Sequence, residues 1–364
     1  MSRVKAVIMA GGEGTRLRPL TRSTPKPLVP VVRRRCIDYS LQSLARAGVT
    51  EVIITTSYKA DMIVDALEAT DVAGLSMLFS FERTAMGTAG GVAKVVPFLD
   101  DTFIVMSADV LADVDLGAMV EFHRTKGAHA TMALTTVERV SEYGVVGLDD
   151  DGRIQRFQEK PAPEEAFSNL INAGIYVLEP SVMDHVPADT KFDFSRNLFP
   201  ILLEEGQPMY GHTLDGLWMD IGRPIDLIAA NQRVLTEVPI PMTMHAVPDG
   251  VGPGVWTDAS VQYGAGMTVE GPSMLESRVV IGEGAKVRGS FLHRGVQVGA
   301  GATIVDSLVL ADCQIMPHSH VEGCIIDTGS TVGEGARMVR TNVGRAYTVG
   351  PNSVHEDDVL GDTA

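Results

Sequence analysis

From about residue 251 the chain repeats itself every 17 residues, and few folds can absorb that period. In blocks it reads ESRVVIGEGAKVRGSFL, HRGVQVGAGATIVDSLV, LADCQIMPHSHVEGCII and DTGSTVGEGARMVRTNV, then a partial GRAYTVGPNSV. Ile281, Val298, Ile315, Val332 and Val349 form one apolar column. Val287, Ile304, Val321 and Met338 form a second, and Leu292, Val309, Ile326 and Val343 a third. Steps of 6, 5 and 6 residues within a block predict a three-sided coil, one turn per block, with one inward apolar residue per face. Gly282, Gly299, Gly333 and Gly350 follow the first column and are read as corners. A sandwich would not hold three columns in a fixed phase.

This pattern resembles the left-handed parallel β-helix of hexapeptide-repeat proteins. The preceding sequence has another texture, in which short apolar runs alternate with helix-like segments. Val4–Ala10, Glu51–Thr55, Leu75–Ser80 and Thr102–Ser107 read as strands, and Tyr39–Ala47 and Lys59–Ala69 as helices. Such alternation predicts an α/β fold, a doubly wound, mostly parallel, Rossmann-like sheet with helices on both faces. Ligands in such sheets bind beyond the carboxyl ends of the strands. The expected organisation is an α/β domain over 1–235, a linker over 236–254, the repeat domain over 255–355 and an acidic tail over 356–364.

Composition narrows the function. A length of 364 residues suits two domains, and a formal net charge of −16 argues against nucleic acid or an anionic membrane as partner. The three cysteines, Cys36, Cys313 and Cys324, lack the spacing of a zinc site or disulfide framework. No apolar stretch reaches the ~18 residues of a membrane helix. A soluble, cytoplasmic protein is expected.

The strongest chemical signal follows the first strand. Gly11-Gly12-Glu13-Gly14-Thr15-Arg16-Leu17-Arg18-Pro19-Leu20-Thr21 continues to Pro25-Lys26-Pro27-Leu28. Small residues there, from Ala10 through Gly11, Gly12, Gly14 and Thr15, let backbone N–H groups approach a triphosphate. Arg16 and Lys26, the latter expected on an exposed loop, can neutralise phosphate charge as it shifts in a transition state. The dinucleotide fingerprint fails at Leu17, and the GK[ST] of a P-loop is absent.

These residues resemble the signature of the sugar-1-phosphate nucleotidyltransferases, and in particular their mannose-1-phosphate guanylyltransferase branch. Met86-Gly87-Thr88-Ala89-Gly90, Glu159-Lys160-Pro161, Asn172-Ala173-Gly174 and Trp218-Met219-Asp220-Ile221-Gly222 match further motifs of that branch in order. The resemblance implies that a nucleoside triphosphate and a sugar 1-phosphate are the substrates and that Asp109 and Asp220 bind Mg2+, an ion suited to hard carboxylate ligands. It implies that Gly87 and Thr88 contact the nucleotide. Lys160 would hold the sugar phosphate, Glu159 and Asn172 the sugar hydroxyls, with Gly174 beside them. Trp218 is read as core. The branch also carries an appended β-helix, expected here to mediate homo-oligomerisation. Two departures stand out: Ser107-Ala108-Asp109 replaces the family's Asn-Gly-Asp, and Arg34-Arg35-Cys36 lacks its proline.

Glu82 lies five residues before Gly87, where thymidylyl-, uridylyl- and adenylyltransferase relatives typically carry Gln. A carboxylate accepts two parallel bonds, matching guanine N1–H and its 2-amino group, whereas uracil and thymine offer one donor between acceptors. Glu82 therefore favours GTP. The alternatives are UTP or dTTP with glucose 1-phosphate, and a silent regulatory homologue, which the survival of Arg16, Lys26, Asp109 and Asp220 opposes. An acyltransferase would need a catalytic histidine, but His293, His318 and His320 read as exposed corners.

Overall fold

The computed structural model describes residues 4–68, 72, 74–239 and 246–361. Residues 240–245 of the expected linker, Ala69 and the tail end 362–364 lie outside these described residues. Compactness divides the chain elsewhere than the composition does. One unit comprises Met1–Gly12 and Cys36–Met219, the other Glu13–Arg35 and Asp220–Ala364.

The first unit is built on a nine-stranded sheet. Ser76–Phe81, Glu51–Thr56, Lys5–Met9 and Phe103–Ser107 lie side by side in parallel. Ala6, Val7 and Ile8 are all fully buried. Successive strand residues point to opposite faces, so burial of three in a row means that both faces are covered. Beyond Phe103–Ser107 the sheet turns mixed. Leu170–Leu178 enters antiparallel, with Ala130–Thr136 antiparallel on it and Met209–Thr213 parallel to the latter. Gly144–Leu148 and Ile154–Glu159 form a hairpin, which needs no crossover helix. Sequence alternation predicts the parallel half and misses this one, because the strands from Ala130 to Leu178 follow one another without an intervening α-helix.

Helix Leu116–Lys126 shows how local chemistry bounds an element. The Asp115 carboxylate accepts from Ala118 N at 3.0 Å, and Gly127 closes the helix with φ +57°.

The second unit contains the repeat, and all three columns stand as read. Three parallel sheets wind as in a left-handed β-helix, with neighbouring rungs in 17-residue register. Ile281 pairs with Val298, Val287 with Ile304, and Leu292 with Val309. All the column residues are buried in one continuous core. The corner glycines have a different reason from the one expected. Gly282, Gly299 and Gly333 lack positive φ; a Cβ on them would lie only 2.5–2.7 Å from the backbone of the next rung. They permit stacking. His293 is also not an exposed corner: it is 7% exposed, with Nδ1 3.4 Å from Glu276 Oε2. His318 is exposed, and half-buried His320 faces Glu322 at 3.0 Å. Helix Pro224–Glu237 packs in this unit, where Asn231 Oδ1 accepts from Val32 N at 2.6 Å and Gln232 Nε2 donates to Gly289 O at 2.9 Å.

Candidate active site

The candidate residues divide between the two units, and each group has its own geometry. In the first unit the Lys5–Met9 strand ends in Ala10, whose N–H donates to Thr55 O at 2.7 Å. Gly11 O accepts from Ser57 Oγ at 2.9 Å, and a side chain at Gly11 would press on that hydroxyl at 3.1 Å. The next strand of the sheet, Phe103–Ser107, ends beside it, with Ala108 N donating to Met9 O at 3.0 Å. Asp109 follows, its Oδ1 accepting from Ser107 Oγ at 2.5 Å. Ala108, in place of the family's glycine, is buried.

Glu82 leaves the end of the Ser76–Phe81 strand half-buried. Its Oε2 accepts from Met86 N at 3.0 Å, fixing the turn into helix Gly87–Ala93, while Oε1 lies over Gly91, 2.5 Å from where a Cβ would stand. Gly87 has φ +75°, and a Cβ there would strike Phe192 O at 2.6 Å. Thr88 donates both its N–H, at 3.1 Å, and its hydroxyl, at 3.3 Å, to Asp193 Oδ1. Asp193 has no sequence signal, because its partner stands 105 residues earlier.

Asn172 and Gly174 shape a bulge in Leu170–Leu178. Asn172 Oδ1 accepts from Gly174 N at 2.9 Å, and its amide donates to Tyr176 Oη at 3.0 Å and Ser195 Oγ at 3.2 Å. The bulge leaves Ala173 O to accept the Trp218 indole N–H at 2.8 Å. Trp218, expected in the core, is half-buried and meets Tyr143 edge-on. Gly174, φ +72°, packs on Ser107. Glu159 is half-buried and its carboxyl is held above the ordinary value; burial raises it, against the opposing pull of Lys160 and Arg196. Lys160 is exposed, with φ +50° and its N–H donating to Tyr143 O at 2.9 Å.

In the second unit Gly14, φ +63°, opens a short 3-10 turn over Thr15–Leu17. Its carbonyl accepts from Thr21 Oγ1 at 2.9 Å, and a Cβ would crowd Thr21 and Lys26 at 3.0 and 3.2 Å. Asp220 brings both basic residues together: Arg16 Nη2 lies 3.6 Å from its Oδ2 and Lys26 Nζ 3.4 Å from its Oδ1. Gly222 lies against the Arg16 guanidinium: a Cβ there would fall 2.6 Å from Arg16 Nη2, so a larger residue would push that side chain aside. Lys26 is only 4% exposed, which corrects the expected exposed loop: the Pro25-Lys26-Pro27 turn folds its ammonium inward onto Asp220. Among the described residues no three His, Cys, Asp or Glu side chains gather as a metal cage. A site built from one or two carboxylates completed by substrate phosphates fits Mg2+, which rarely uses an all-protein cage.

In the first unit a parallel sheet runs into a glycine loop, and in the second an arginine and a lysine are held on one carboxylate. A model described as nucleotidyl transferase matches residues 5–237, and one described as the GMPPB C-terminal domain matches 253–360. The chain is 38% identical over 339 residues to a UTP–glucose-1-phosphate uridylyltransferase of Synechocystis sp., covering 84% of this chain and 87% of that one. It is 34% identical over 347 residues to the mannose-1-phosphate guanylyltransferase catalytic subunit beta of Danio rerio, covering 93% and 90%. The crystal structure of HddC from Yersinia pseudotuberculosis superposes with a TM-score of 0.55 at 27% identity, covering 63% of this chain and 99% of that one; a second HddC structure is complexed with GMP-PN. The chain belongs to the nucleotidyl transferase family, among the enzymes that act on sugar 1-phosphates. Such enzymes bind a nucleoside triphosphate and a sugar phosphate. Among the described residues no helix is long and apolar enough to cross a membrane.

Proposed function

We propose that the protein transfers the guanylyl group of GTP to mannose 1-phosphate, giving GDP-mannose and pyrophosphate, as a cytoplasmic homo-oligomer. The observation that carries this reading is the likeness to guanylyltransferase β subunits, which spans both domains. Glu82 supports the base. With Oε2 engaged by Met86, Oε1 still offers acceptor capacity, and the pair of oxygens suits the adjacent donors of guanine.

In this reading a sugar-phosphate oxygen attacks the α-phosphorus and pyrophosphate leaves, so positioning and charge neutralisation carry most of the acceleration. The glycine loop from Ala10 through Gly11, Gly12, Gly14 and Thr15 receives the triphosphate. Arg16 and Lys26, aligned by Asp220, meet the charge that moves onto the leaving pyrophosphate. Gly87 and Thr88 build the floor under the base. Lys160, exposed at the end of its strand, takes the sugar phosphate. Glu159 and the bulge at Asn172 and Gly174 present oxygens to the sugar hydroxyls. Asp109 and Asp220 are the carboxylates that would hold Mg2+, which would supply neutralisation of the triphosphate charge.

The Synechocystis relative favours a second reading, UTP with glucose 1-phosphate. A mixture of equal GTP and UTP with equal mannose and glucose 1-phosphates, analysed by mass spectrometry for the nucleotide sugar formed, separates the two. GDP-mannose as the main product is expected, and UDP-glucose would replace the first reading with the second.

A further inference from the structure

The β-helix carries a fourth column, made by the residues that follow the third apolar one: Glu276, His293, Leu310, Asp327 and Gly344. Their backbones form an unbroken ladder. Glu276 N donates to Leu292 O, His293 N to Val309 O, Leu310 N to Ile326 O, Asp327 N to Val343 O and Gly344 N to Leu360 O, all at 2.8–2.9 Å. The 13–35 segment, in the same compact unit, follows this column. A Cβ on Gly344 would stand 3.3 Å from Pro19, and Asp327 meets Ser23. Burial works to raise the Glu276 carboxyl, but His293 above all, with a smaller pull from Arg33, holds it below the ordinary value.

Asp327 is the telling member. It is fully buried, whereas Leu310 and Gly344 hold the equivalent place one rung away on either side. Coil stacking therefore needs no carboxylate there, and a buried one is costly unless its oxygens are engaged. Oδ1 accepts from Thr328 N at 2.6 Å, with Arg345 Nε 4.0 Å away. Oδ2 accepts from Ser23 Oγ at 2.7 Å, across 304 residues. Ser23 closes the Leu20–Ser23 helical turn, between Arg16 and Lys26.

We infer that Asp327 is a positioning residue for the transfer reaction: through Ser23, a buried carboxylate of the β-helix holds the segment that carries Arg16 and Lys26 in its reactive conformation. This rests on the reading of Arg16 and Lys26 as the phosphate-neutralising pair. It gives the appended domain a part in turnover that is separate from assembly.

The test is steady-state kinetics and thermal melting of the full-length chain with Ser23→Ala, Asp327→Ala, their double variant, Ser23→Thr, Cys313→Ala and Lys26→Ala. A small displacement of reacting groups is enough to slow such a reaction, so Ser23→Ala and Asp327→Ala should each lower kcat roughly tenfold, with KM for the sugar phosphate little changed. The double variant should be no slower than Asp327→Ala alone, since both remove one interaction. Ser23→Thr keeps the hydroxyl and should restore kcat. Cys313, whose Sγ donates to Asp327 O at 3.1 Å, is the control. Its alanine variant should loosen the coil and melt earlier while keeping kcat. Wild-type kcat in Ser23→Ala beside a slow Lys26→Ala would overturn the positioning role and leave the catalytic pair standing. A fall in Cys313→Ala equal to that in Asp327→Ala would reduce the effect to general loosening and also overturn it. Full turnover in Lys26→Ala would instead remove the catalytic reading itself.

Discussion

Lys26 Nζ lies 3.4 Å from Asp220 Oδ1, across 194 residues of sequence, with the two side chains 5% and 13% exposed. A buried ammonium on a nearly buried carboxylate is expected to serve stability and, on the proposed function, chemistry as well. Lys26→Ala leaves Asp220 to Arg16, which is half-exposed. The expected result is a loss of about 1–3 kcal/mol in denaturant unfolding together with a fall in kcat of roughly a hundredfold or more. Unchanged specific activity in a variant that melts early would make the pair structural only.

The metal assignment rests on Asp109 and Asp220. Removing divalent ions with a chelator should abolish pyrophosphate release, and added Mg2+ should restore it. Asp109→Ala should keep its melting temperature close to wild type if the carboxylate serves the metal rather than the fold; its Oδ1 accepts from the neighbouring Ser107 hydroxyl. Its turnover should fall by orders of magnitude. Near-wild-type turnover of this variant at saturating Mg2+ contradicts the assignment.

Glu82→Gln separates base reading from folding. The amide oxygen can still accept from Met86 N, so the turn into Gly87–Ala93 survives. The other atom becomes a donor and faces a guanine donor. The ratio of GTP to UTP efficiency should drop about 5- to 150-fold, or ~1–3 kcal/mol. A ratio that does not move places the base elsewhere.

Glu159 gives a pH signature. Burial raises its carboxyl above the ordinary 4.5. A raised folded-state value means that the protonated form is favoured in the native protein. Its contribution to stability is therefore complete below the ordinary value and is lost as pH rises through the folded-state value. Glu159→Gln should flatten the dependence of unfolding stability on pH in that window, measured by denaturant titration from acid to neutral pH. An unchanged profile would show that Glu159 does not titrate out of range.

At the last described rung the β-helix exposes Val354 and Val359, and among the described residues no strand pairs beyond Val354–Glu356 or Val359–Leu360. Open strand edges with apolar side chains favour pairing with another chain. Val354→Lys with Val359→Lys should reduce the assembly in light scattering while leaving the coil folded. An unchanged mass would place self-association elsewhere.

How much of this was legible depends on sequence distance. The columns at Ile281, Val287 and Leu292 were readable because each rung repeats the same packing problem after 17 residues. The parallel strands to Ser107 were readable from their alternation with helices. The antiparallel half of the sheet was not, because hairpins such as Gly144–Leu148 with Ile154–Glu159 carry no crossover signature. At the site, the glycine loop and the Arg16 and Lys26 pair stood out as a local motif. The burial of Lys26 did not, since its partner is remote. Thr88 with Asp193 and Ser23 with Asp327 were invisible for the same reason. His293 looked like a corner because polarity marks corners only on average; here Glu276 gives it a partner inside.

The most direct test of the central claim is kcat/KM for pyrophosphate release with Mg2+, over GTP, UTP, dTTP, ATP and CTP, each paired with mannose, glucose and galactose 1-phosphates. The highest value is expected for GTP with mannose 1-phosphate. A highest value for UTP with glucose 1-phosphate would contradict the guanylyltransferase reading, and no release with any pair would contradict catalysis by this chain.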